Sequence, residues 1–367
     1  MNFHTSTRKW LVASCLIAAV VQQNACGGGS APSASTSTGG GGTGGGGTGG
    51  GGGTGGGGGT GGGGGTGGGG GGGTGGGGGT GGSGGGSGGN SVPVFAHVFL
   101  VIEENHSFSD VIGNSSMPYL NGLASANGLA TQYYADAHPS LPNYFMLTVG
   151  EGTSITGSAG DAYNGVVTQD NVVRALTAAG KTWKCYAESL PSVGYLGGDN
   201  GAYLQHHVPF VYLSDVQSSA TQAGNIVPFT QLATDIANNA LPDYAFIVPN
   251  VYDDAHNCPA GMSTCTADQQ LEPADQWLST NIGPLLTSTS FQNSLMVIVF
   301  DEAEDSDVTN GGGHVPAVIV SPKAKTGYQS TTLYQHESTL RLMMEGLGVT
   351  DLPGAATTAP DMTEFFN

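Results

Sequence analysis

Hydrophobic and polar positions alternate in blocks that predict strands and helices in turn, from about residue 92 onward. Long apolar runs rich in β-branched residues are typical of strands buried on both faces, because neither side of such a strand meets water. Runs of this kind predict strands at 94–102, 129–135, 182–187, 243–250, 294–300 and 315–322. Amphipathic segments predict helices at 117–128, 171–179, 229–237, 272–286 and 338–347. The alternation predicts an α/β fold with a doubly covered, mostly parallel sheet in a single domain.

Polar side chains follow three of the predicted strands. Glu103–Asn105 end the first strand, Asn250 and Asp254–His256 follow the strand at 243–250, and Asp301 and Glu302 end the strand at 294–300. Ligands bind at the carboxyl ends of the strands in open sheets of this class. Carboxylates gathered there repel one another unless a cation lies among them. The pattern predicts a shared metal site; a solvated acidic rim is the plainer alternative.

A serine between two prolines precedes an apolar run of helical length. Pro139 disfavours helix at His138, whereas Pro142 is tolerated in a first helical turn. Ser140 is therefore expected at the N-cap, with an exposed hydroxyl well placed for an anionic group. A helix cap without chemistry is the alternative interpretation.

The N-terminal region predicts export. Arg8 and Lys9 precede the apolar run Trp10–Val21, which is a signal-peptide pattern and too short to span a bilayer. The signal is expected at residues 1–26. Cys26, after an alanine and before glycines, resembles the lipidation site of a bacterial lipoprotein. The alternative is ordinary cleavage, which would give a soluble secreted product.

Residues 27–91 are almost entirely Gly, Ser and Thr, and they are expected to form a disordered linker because they have few apolar side chains to bury. Residues 92–367 then form the catalytic domain. The expected location is the periplasm or the cell surface, with the linker as a tether if Cys26 carries lipid, or otherwise the medium. A membrane is expected as a partner only through that anchor.

The charge of the folded part is strongly negative. All 27 acidic residues lie after residue 91, against six of the eight lysines and arginines, which gives −21. Such a surface repels nucleic acid and anionic lipid headgroups, and no basic stripe is present to bind a phosphate backbone. An anionic substrate would therefore need a metal ion or local dipoles to hold it.

Two cysteines lie close together in a Pro/Gly/Ser/Thr-rich loop. A small disulfide between Cys258 and Cys265 is plausible in an exported protein. Cys185 is then interpreted as a buried free thiol.

The chain resembles the bacterial phosphoesterase family of acid phosphatases and non-specific phospholipases C, a branch of the alkaline phosphatase superfamily. The motifs that carry the resemblance lie at 101–108 (VIEENHSF), 138–144 (HPSLPNY), 300–302 (FDE) and 313–316 (GHVP). The resemblance implies that Glu104 and Asn105 bind metal, and it places the nucleophile on Ser140.

The same resemblance implies a phosphate-oxygen donor at Asn143 and further metal ligands at Asp301 and Glu302. Ser140, activated by coordination, completes the expected ligand set, since a free serine hydroxyl is a weak nucleophile. Oxygen ligands suit Ca²⁺, Mg²⁺ or Mn²⁺, and Zn²⁺ fits if a histidine joins them.

A histidine is expected to protonate the leaving group and then to activate water. His256 and His314 are the first candidates, and the second choices at the site are His138, His207, Asp254 and His336. The expected function is that of a secreted, metal-dependent hydrolase that cleaves a small phosphate ester through a phosphoserine intermediate. The alternatives are a phospholipase C acting on lipid headgroups and a non-catalytic, surface-tethered binding protein.

Overall fold

The computed structural model describes residues 91–367. The predicted signal peptide, almost all of the predicted linker and the lipidation candidate Cys26 lie outside the described residues. One sheet of eight strands forms the centre of the described part. The strands are β1 (His97–Glu103), β2 (Gly128–Ala130), β3 (Trp183–Ala187), β4 (Ile226–Pro228), β5 (Tyr244–Val248), β6 (Ser294–Phe300), β7 (Ala317–Val320) and β8 (Tyr328–Ser330).

Eleven α-helices surround this sheet in the described part of the chain. They are α1 (Phe108–Val111), α2 (Pro118–Ala126), α3 (Ser140–Met146), α4 (Thr153–Thr156), α5 (Val172–Ala178), α6 (Ser214–Gln217), α7 (Ala220–Ala223), α8 (Gln231–Ala237), α9 (Ala267–Trp277), α10 (Gly283–Leu286) and α11 (His336–Gly346). A π-helical turn, Leu278–Ile282, joins α9 to α10.

The strand order is β4-β3-β5-β1-β6-β7-β2-β8, which places β1 between β5 and β6. Both of these neighbours run parallel to β1, in a register that pairs Val101 with Ile247 and Glu103 with Phe300. Only β7 runs against its neighbours β6 and β2. The chain leaves the carboxyl end of β6 and re-enters the sheet at the same edge, so β7 must run in reverse. The predicted doubly covered, mostly parallel sheet is confirmed.

The central strands are buried on both faces. Every residue of β6 is buried, and so is every residue of β1 except His97. Helix α11 packs on β1, while α2 packs on β2 and β7, so helices from distant parts of the chain cover the sheet. This burial explains why the sequences of β1 and β6 are continuous apolar runs, without alternation of apolar and polar residues.

Two predicted elements differ most from the structure, by more than the residue or two usual at element ends. The strand expected at 129–135 ends at Ala130, and beyond it only isolated bridges form at Tyr133 and Tyr134. The helix expected to begin at residue 272 begins at Ala267, because Thr266 and Gln269 form a capping box.

The structure joins Cys258 to Cys265 in a disulfide, and it buries the free thiol of Cys185 in β3. Within residues 91–367, no helix combines the length and the apolar character that a membrane crossing requires.

Candidate active site

The three polar strand ends meet at one edge of the sheet, because β5, β1 and β6 are neighbours. The Glu104 N–H donates to the carbonyl of Asp254 over 2.7 Å, and the Asp301 N–H donates to the carbonyl of Glu103 over 2.9 Å. These main-chain bonds continue the sheet beyond its last strand residues. They hold the side chains of Glu104, Asp254 and Asp301 at a fixed spacing, and all three are buried.

Ser140 joins these carboxylates from the first turn of α3. Its hydroxyl donates to Glu104 Oε2 over 3.1 Å and lies 3.3 Å from Glu302 Oε1. The expectation of an exposed N-cap is wrong, since the side chain is only 4% exposed and Pro139 stands at the cap position. The hydroxyl turns toward the carboxylates instead of capping its own helix. A hydroxyl has one proton, so it can donate to only one of the two carboxylates at a time.

Asn105 links the ends of β1 and β6. Its backbone lies in the left-handed region, with φ of 43°, which asparagine tolerates better than most residues. Its N–H donates to Asp301 Oδ1 over 3.3 Å, and its side-chain amide donates to Glu302 Oε1 over 2.7 Å. Two buried oxygens, Asn105 Oδ1 and Asp301 Oδ2, have no hydrogen-bond partner among the described residues. Buried oxygens of this kind need a hydrogen-bond donor or a cation.

Burial and mutual repulsion raise the pKa values of the clustered carboxyl groups. Burial, with Asp301 as the strongest neighbouring charge, raises the pKa of Glu302 to about 10. Burial raises the pKa of Asp301 to about 6, and burial together with Asp301 and Asp254 raises the pKa of Glu104 well above its usual range. Among residues 91–367, no lysine or arginine forms an ion pair with these groups.

The cluster therefore fits a divalent cation. Its oxygen donors come from Glu104, Asn105, Ser140, Asp301 and Glu302, the set expected from the sequence. A cation among them would satisfy the unpartnered oxygens and remove the repulsion that raises these pKa values.

Tyr144 supports Glu104 from the same helix that carries Ser140. Its hydroxyl donates to Glu104 Oε1, and its ring stacks on His207 with 5.4 Å between the centroids. His207 Nε2 lies 3.3 Å from Glu104 Oε1, and His207 Nδ1 lies 3.6 Å from Asp254 Oδ2. Burial, with smaller contributions from neighbouring histidines, lowers the pKa of His207 well below its usual range, so this ring adds little positive charge.

Tyr144 is not among the site residues predicted from the sequence, although its spacing from Ser140 points to it. Residues four apart lie on the same face of a helix, so Tyr144 had to face the same way as Ser140.

Two other histidines hold the strand ends in place. His138 bridges Glu302 Oε2 and the carbonyl of Asp307, each over 2.9 Å. His336 is fully buried, and its Nε2 lies 2.6 Å from the carbonyl oxygen of Asp301. Burial lowers the pKa of His336 to about 4, so this imidazole is neutral and donates to that carbonyl.

His256 is half-buried at the margin of the carboxylate cluster. Its Nδ1 lies 2.8 Å from Asn257 Oδ1, and its ring centroid lies 6.4 Å from that of His207. His206, which the sequence analysis did not propose for the site, packs edge-on against His207 at 4.6 Å. His206 and His256 therefore flank His207, whose ring lies beside Glu104 and Asp254.

His314 has a structural environment that does not suit the expected catalytic role. Its ring is stacked between Phe108 at 4.4 Å and Tyr134 at 4.9 Å, and its Nε2 lies 3.0 Å from the carbonyl oxygen of Thr131. These contacts hold the ring among aromatic side chains and not against the strand-end carboxylates. The Gly-His-Val-Pro motif therefore contributes packing at this position.

Asn143 also differs from the expectation that it binds phosphate oxygens. Its Oδ1 accepts from the N–H groups of Asp136 and Ala137 over 3.0 and 3.1 Å, and its Nδ2 donates to the carbonyl of Ala137 over 2.8 Å. The amide is fully buried. Asn143 thus fixes the turn that precedes Ser140, and its strong hydrogen bonds are used within the protein.

Comparisons with known proteins agree with this fold. A family model described as Phosphoesterase family matches residues 114–350. A phosphatidylinositol-3-phosphatase of Mycobacterium tuberculosis is 30% identical over 277 residues, which cover 76% of this chain and 85% of that protein. A probable acid phosphatase of Kluyveromyces lactis is 28% identical over 254 residues, which cover 67% of this chain and 56% of the yeast protein. The chain thus matches little more than half the length of that relative.

Solved structures support the fold. A protein of the alkaline phosphatase superfamily from Vibrio parahaemolyticus aligns with a TM-score of 0.53 at 13% identity, over 75% of this chain and 74% of its own. At that identity the likeness concerns the fold alone. The family match extends over more than half of the chain, and its named relatives are phosphatases. The chain therefore belongs to the Phosphoesterase family and is a hydrolase that acts on phosphoric esters.

Proposed function

We propose that this hydrolase is a metal-dependent phosphatase in which Ser140 attacks phosphorus and is phosphorylated in turn. The observation that carries the proposal is the position of the Ser140 hydroxyl between the carboxylates of Glu104 and Glu302, at distances of 3.1 and 3.3 Å. A serine needs such activation because its free hydroxyl is a weak nucleophile. Membership of a hydrolase family leaves the non-catalytic alternative without support.

A divalent cation held by Glu104, Asn105, Ser140, Asp301 and Glu302 would lower the pKa of the serine hydroxyl and offset the negative charge of the phosphoryl oxygens. The residues of the chain carry out the remaining steps. The Ser140 hydroxyl passes its proton to Glu104 Oε2, which already accepts its hydrogen bond.

The first displacement forms the bond from Ser140 Oγ to phosphorus and breaks the bond from phosphorus to the ester oxygen. We assign protonation of that leaving oxygen to His256, which is half-buried and lies at the margin of the cluster. In the second displacement His256 takes a proton from water, the water oxygen bonds to phosphorus, and Ser140 Oγ leaves and recovers its proton.

The relatives favour a phosphomonoester as the substrate. They are named as acid phosphatases and as a phosphatidylinositol-3-phosphatase, and the second name adds a phosphoinositide headgroup as a specific candidate. That reaction removes a monoester phosphate from the headgroup, whereas a phospholipase C cleaves the diester to the lipid. A phosphomonoester substrate agrees with both names, and we prefer this hypothesis.

Export remains part of the proposal. The basic residues and the apolar run before residue 22 support a signal peptide, and Cys26 is the candidate for lipidation. Treatment of producing cells with an inhibitor of lipoprotein signal peptidase, followed by intact-mass measurement, tests whether the anchor exists.

The test of the proposed function is hydrolysis of p-nitrophenyl phosphate and of bis-p-nitrophenyl phosphate by the full-length chain, between pH 4 and 9. We expect turnover of the monoester that is lost with a chelator and restored by Ca²⁺, Mg²⁺, Mn²⁺ or Zn²⁺. Short-chain phosphatidylinositol-3-phosphate and phosphatidylcholine form the lipid arms, read out by release of phosphate or of phosphocholine. Turnover that survives full removal of metal would overturn the metal-dependent mechanism.

A further inference from the structure

A second group of possible ligands lies beside the active site and is used by no step of the proposed reaction. A ring nitrogen of His106 and carboxylate oxygens of Asp110 and Glu304 all lie within 4.8 Å of one another. His106 follows β1, Asp110 belongs to α1, and Glu304 lies in the loop after β6. The group therefore connects three separate segments of the chain.

The orientation of the His106 ring determines which of its nitrogens is free to bind a metal. Its Nε2 lies 3.1 Å from the carbonyl oxygen of Ala255, so Nε2 must carry the proton and donate it. In the neutral imidazole, Nδ1 then has a free lone pair. This atom is buried without a hydrogen-bond partner among the described residues, on a side chain that is 3% exposed. The edge of the ring packs against Phe300 at 6.5 Å, which further fixes its orientation.

A buried lone pair on a ring that lies beside two carboxylates needs a hydrogen-bond donor or a cation. Ionised carboxylates can only accept hydrogen bonds, so neither Asp110 nor Glu304 can satisfy Nδ1. Water could donate to Nδ1, but a cation would satisfy all three groups together. A metal-ligating histidine characteristically donates its other N–H to a carbonyl or a carboxylate, as His106 does to Ala255.

We propose that His106, Asp110 and Glu304 bind a divalent transition metal of the zinc type. One imidazole nitrogen with two carboxylate oxygens suits Zn²⁺ better than Ca²⁺ or Mg²⁺, which prefer oxygen alone. Three protein ligands leave a fourth position for water. Glu304 is exposed and Asp110 is half-buried, so an ion can enter from solvent.

This site is separate from the proposed catalytic cation site, but its ligands are neighbours in the chain of the catalytic ligands. His106 directly follows Asn105, and Glu304 lies two residues after Glu302. A metal held by His106 and Glu304 would tie the loop after β1 to the loop after β6, and those loops carry the catalytic ligands. Binding should therefore stabilise the folded chain, since a ligand that binds only the native state raises its stability.

The experiment measures Zn²⁺ binding to the full-length chain by isothermal titration and by elemental analysis after dialysis. The substitutions Asp301→Asn and Glu302→Gln first disable the catalytic cluster. In this background we expect one equivalent of Zn²⁺ and a higher melting temperature with Zn²⁺ than with chelator. Adding Asp110→Asn and Glu304→Gln should weaken this binding by at least about tenfold, since two of the three ligands become poor donors.

Asp268→Asn is the matched control, because Asp268 is an exposed acid near α1 that is no part of the group. It should leave Zn²⁺ binding unchanged. X-ray absorption of the bound zinc should show a single imidazole ligand. If the background substitutions prevent folding, the same comparison in the unmodified chain should show one equivalent fewer after Asp110→Asn and Glu304→Gln. Absence of Zn²⁺ binding, or binding that these two substitutions do not weaken, would overturn the proposal. Either result leaves the phosphatase mechanism untouched, since its residues are different.

Discussion

The Ser140 hydroxyl donates to Glu104 Oε2 over 3.1 Å, although the two residues are 36 positions apart in the chain. Glu104 directly follows the central strand β1. Ser140 begins the helix that follows β2, and β2 lies three strands away from β1 in the sheet. Only the folded chain brings them together. This contact distinguishes a nucleophile candidate from an ordinary serine at a helix start.

Replacing Ser140 by alanine should abolish hydrolysis while the fold is retained. Loss of the nucleophile should reduce kcat by at least about a thousandfold. The unfolding free energy should change by less than about 1 kcal/mol, because one hydroxyl is removed from a repulsive acidic cluster. Steady-state kinetics with p-nitrophenyl phosphate and denaturant unfolding provide the two measurements.

The control for this substitution is Ser321→Ala. Ser321 is also buried, but it donates to the carbonyl of Ser294 at the opposite edge of the sheet. It should keep full activity. Acid quenching of the wild-type enzyme during turnover should trap phosphate on the peptide that contains Ser140. Near-normal turnover by the alanine variant would refute the assignment.

The sequence predicts the strand ends well because their position follows from local pattern and general topology. Apolar runs that stop at acidic residues place Glu104 and Asp301 at the same edge of any parallel sheet, whatever the exact strand order. The roles of Asn143 and His314 could not be predicted in this way. His314 is oriented by partners far from it in the sequence, such as Thr131, and Asn143 by the main chain of the turn six and seven residues before it. Motif spacing contains no information on those partners.

Replacing Tyr144 by phenylalanine should impair catalysis without removing any ligand. The Tyr144 hydroxyl donates to Glu104 Oε1, and without it this buried carboxylate oxygen loses its donor. Outer groups that orient metal ligands typically contribute about ten- to a hundredfold to activity or metal affinity. We expect a loss of that size in kcat/KM and a higher metal concentration for half-activation.

Tyr244→Phe provides the matched control for Tyr144→Phe. Tyr244 is equally buried, but its hydroxyl has no hydrogen-bond partner among residues 91–367. Its removal should leave kcat/KM and metal activation unchanged. Equal effects of the two substitutions would mean that the loss reflects general packing and not support of Glu104.

Replacing His256 and replacing His314 should affect catalysis differently, although the sequence makes both of them first candidates for the general acid. If His256 protonates the leaving oxygen, His256→Gln should reduce kcat by about a hundredfold for phenyl phosphate. The loss should be smaller for p-nitrophenyl phosphate, whose leaving group needs little protonation. His314→Gln should spare kcat and lower the unfolding free energy by about 1–2 kcal/mol, because it removes ring stacking and a hydrogen bond.

The comparison of leaving groups discriminates between chemistry and structure. A general acid alters the dependence of rate on the pKa of the leaving group, whereas a packing residue does not. An equal loss for both substrates in His256→Gln would exclude His256 as the acid. The half-buried His206 would then be the next histidine to test.

The buried imidazole of His336 should set a lower pH limit for the fold. Its pKa is lowered to about 4 by burial, while an unfolded histidine titrates near 6.5. The unfolded chain therefore binds a proton here first as the pH falls. The contribution of His336 to the unfolding free energy is complete above about pH 6.5 and is lost as the pH falls toward 4. The loss is up to about 1.4 kcal/mol per pH unit and about 3 kcal/mol in total.

His336→Gln should remove this pH dependence, because glutamine can donate to the Asp301 carbonyl but does not titrate. Denaturant unfolding at pH 4.5, 5.5, 6.5 and 8 measures the difference between the wild-type chain and the variant at each pH. The difference between the two proteins cancels the contribution of the carboxyl groups. Their raised pKa values make the fold less stable as the pH rises, which is the opposite of the effect of His336. We expect the variant to be less stable than the wild type at pH 8 by about 1 kcal/mol. Its unfolding free energy relative to that of the wild type should rise as the pH falls. A stability difference that stays constant over this range would show that His336 does not titrate on unfolding, which would contradict the prediction.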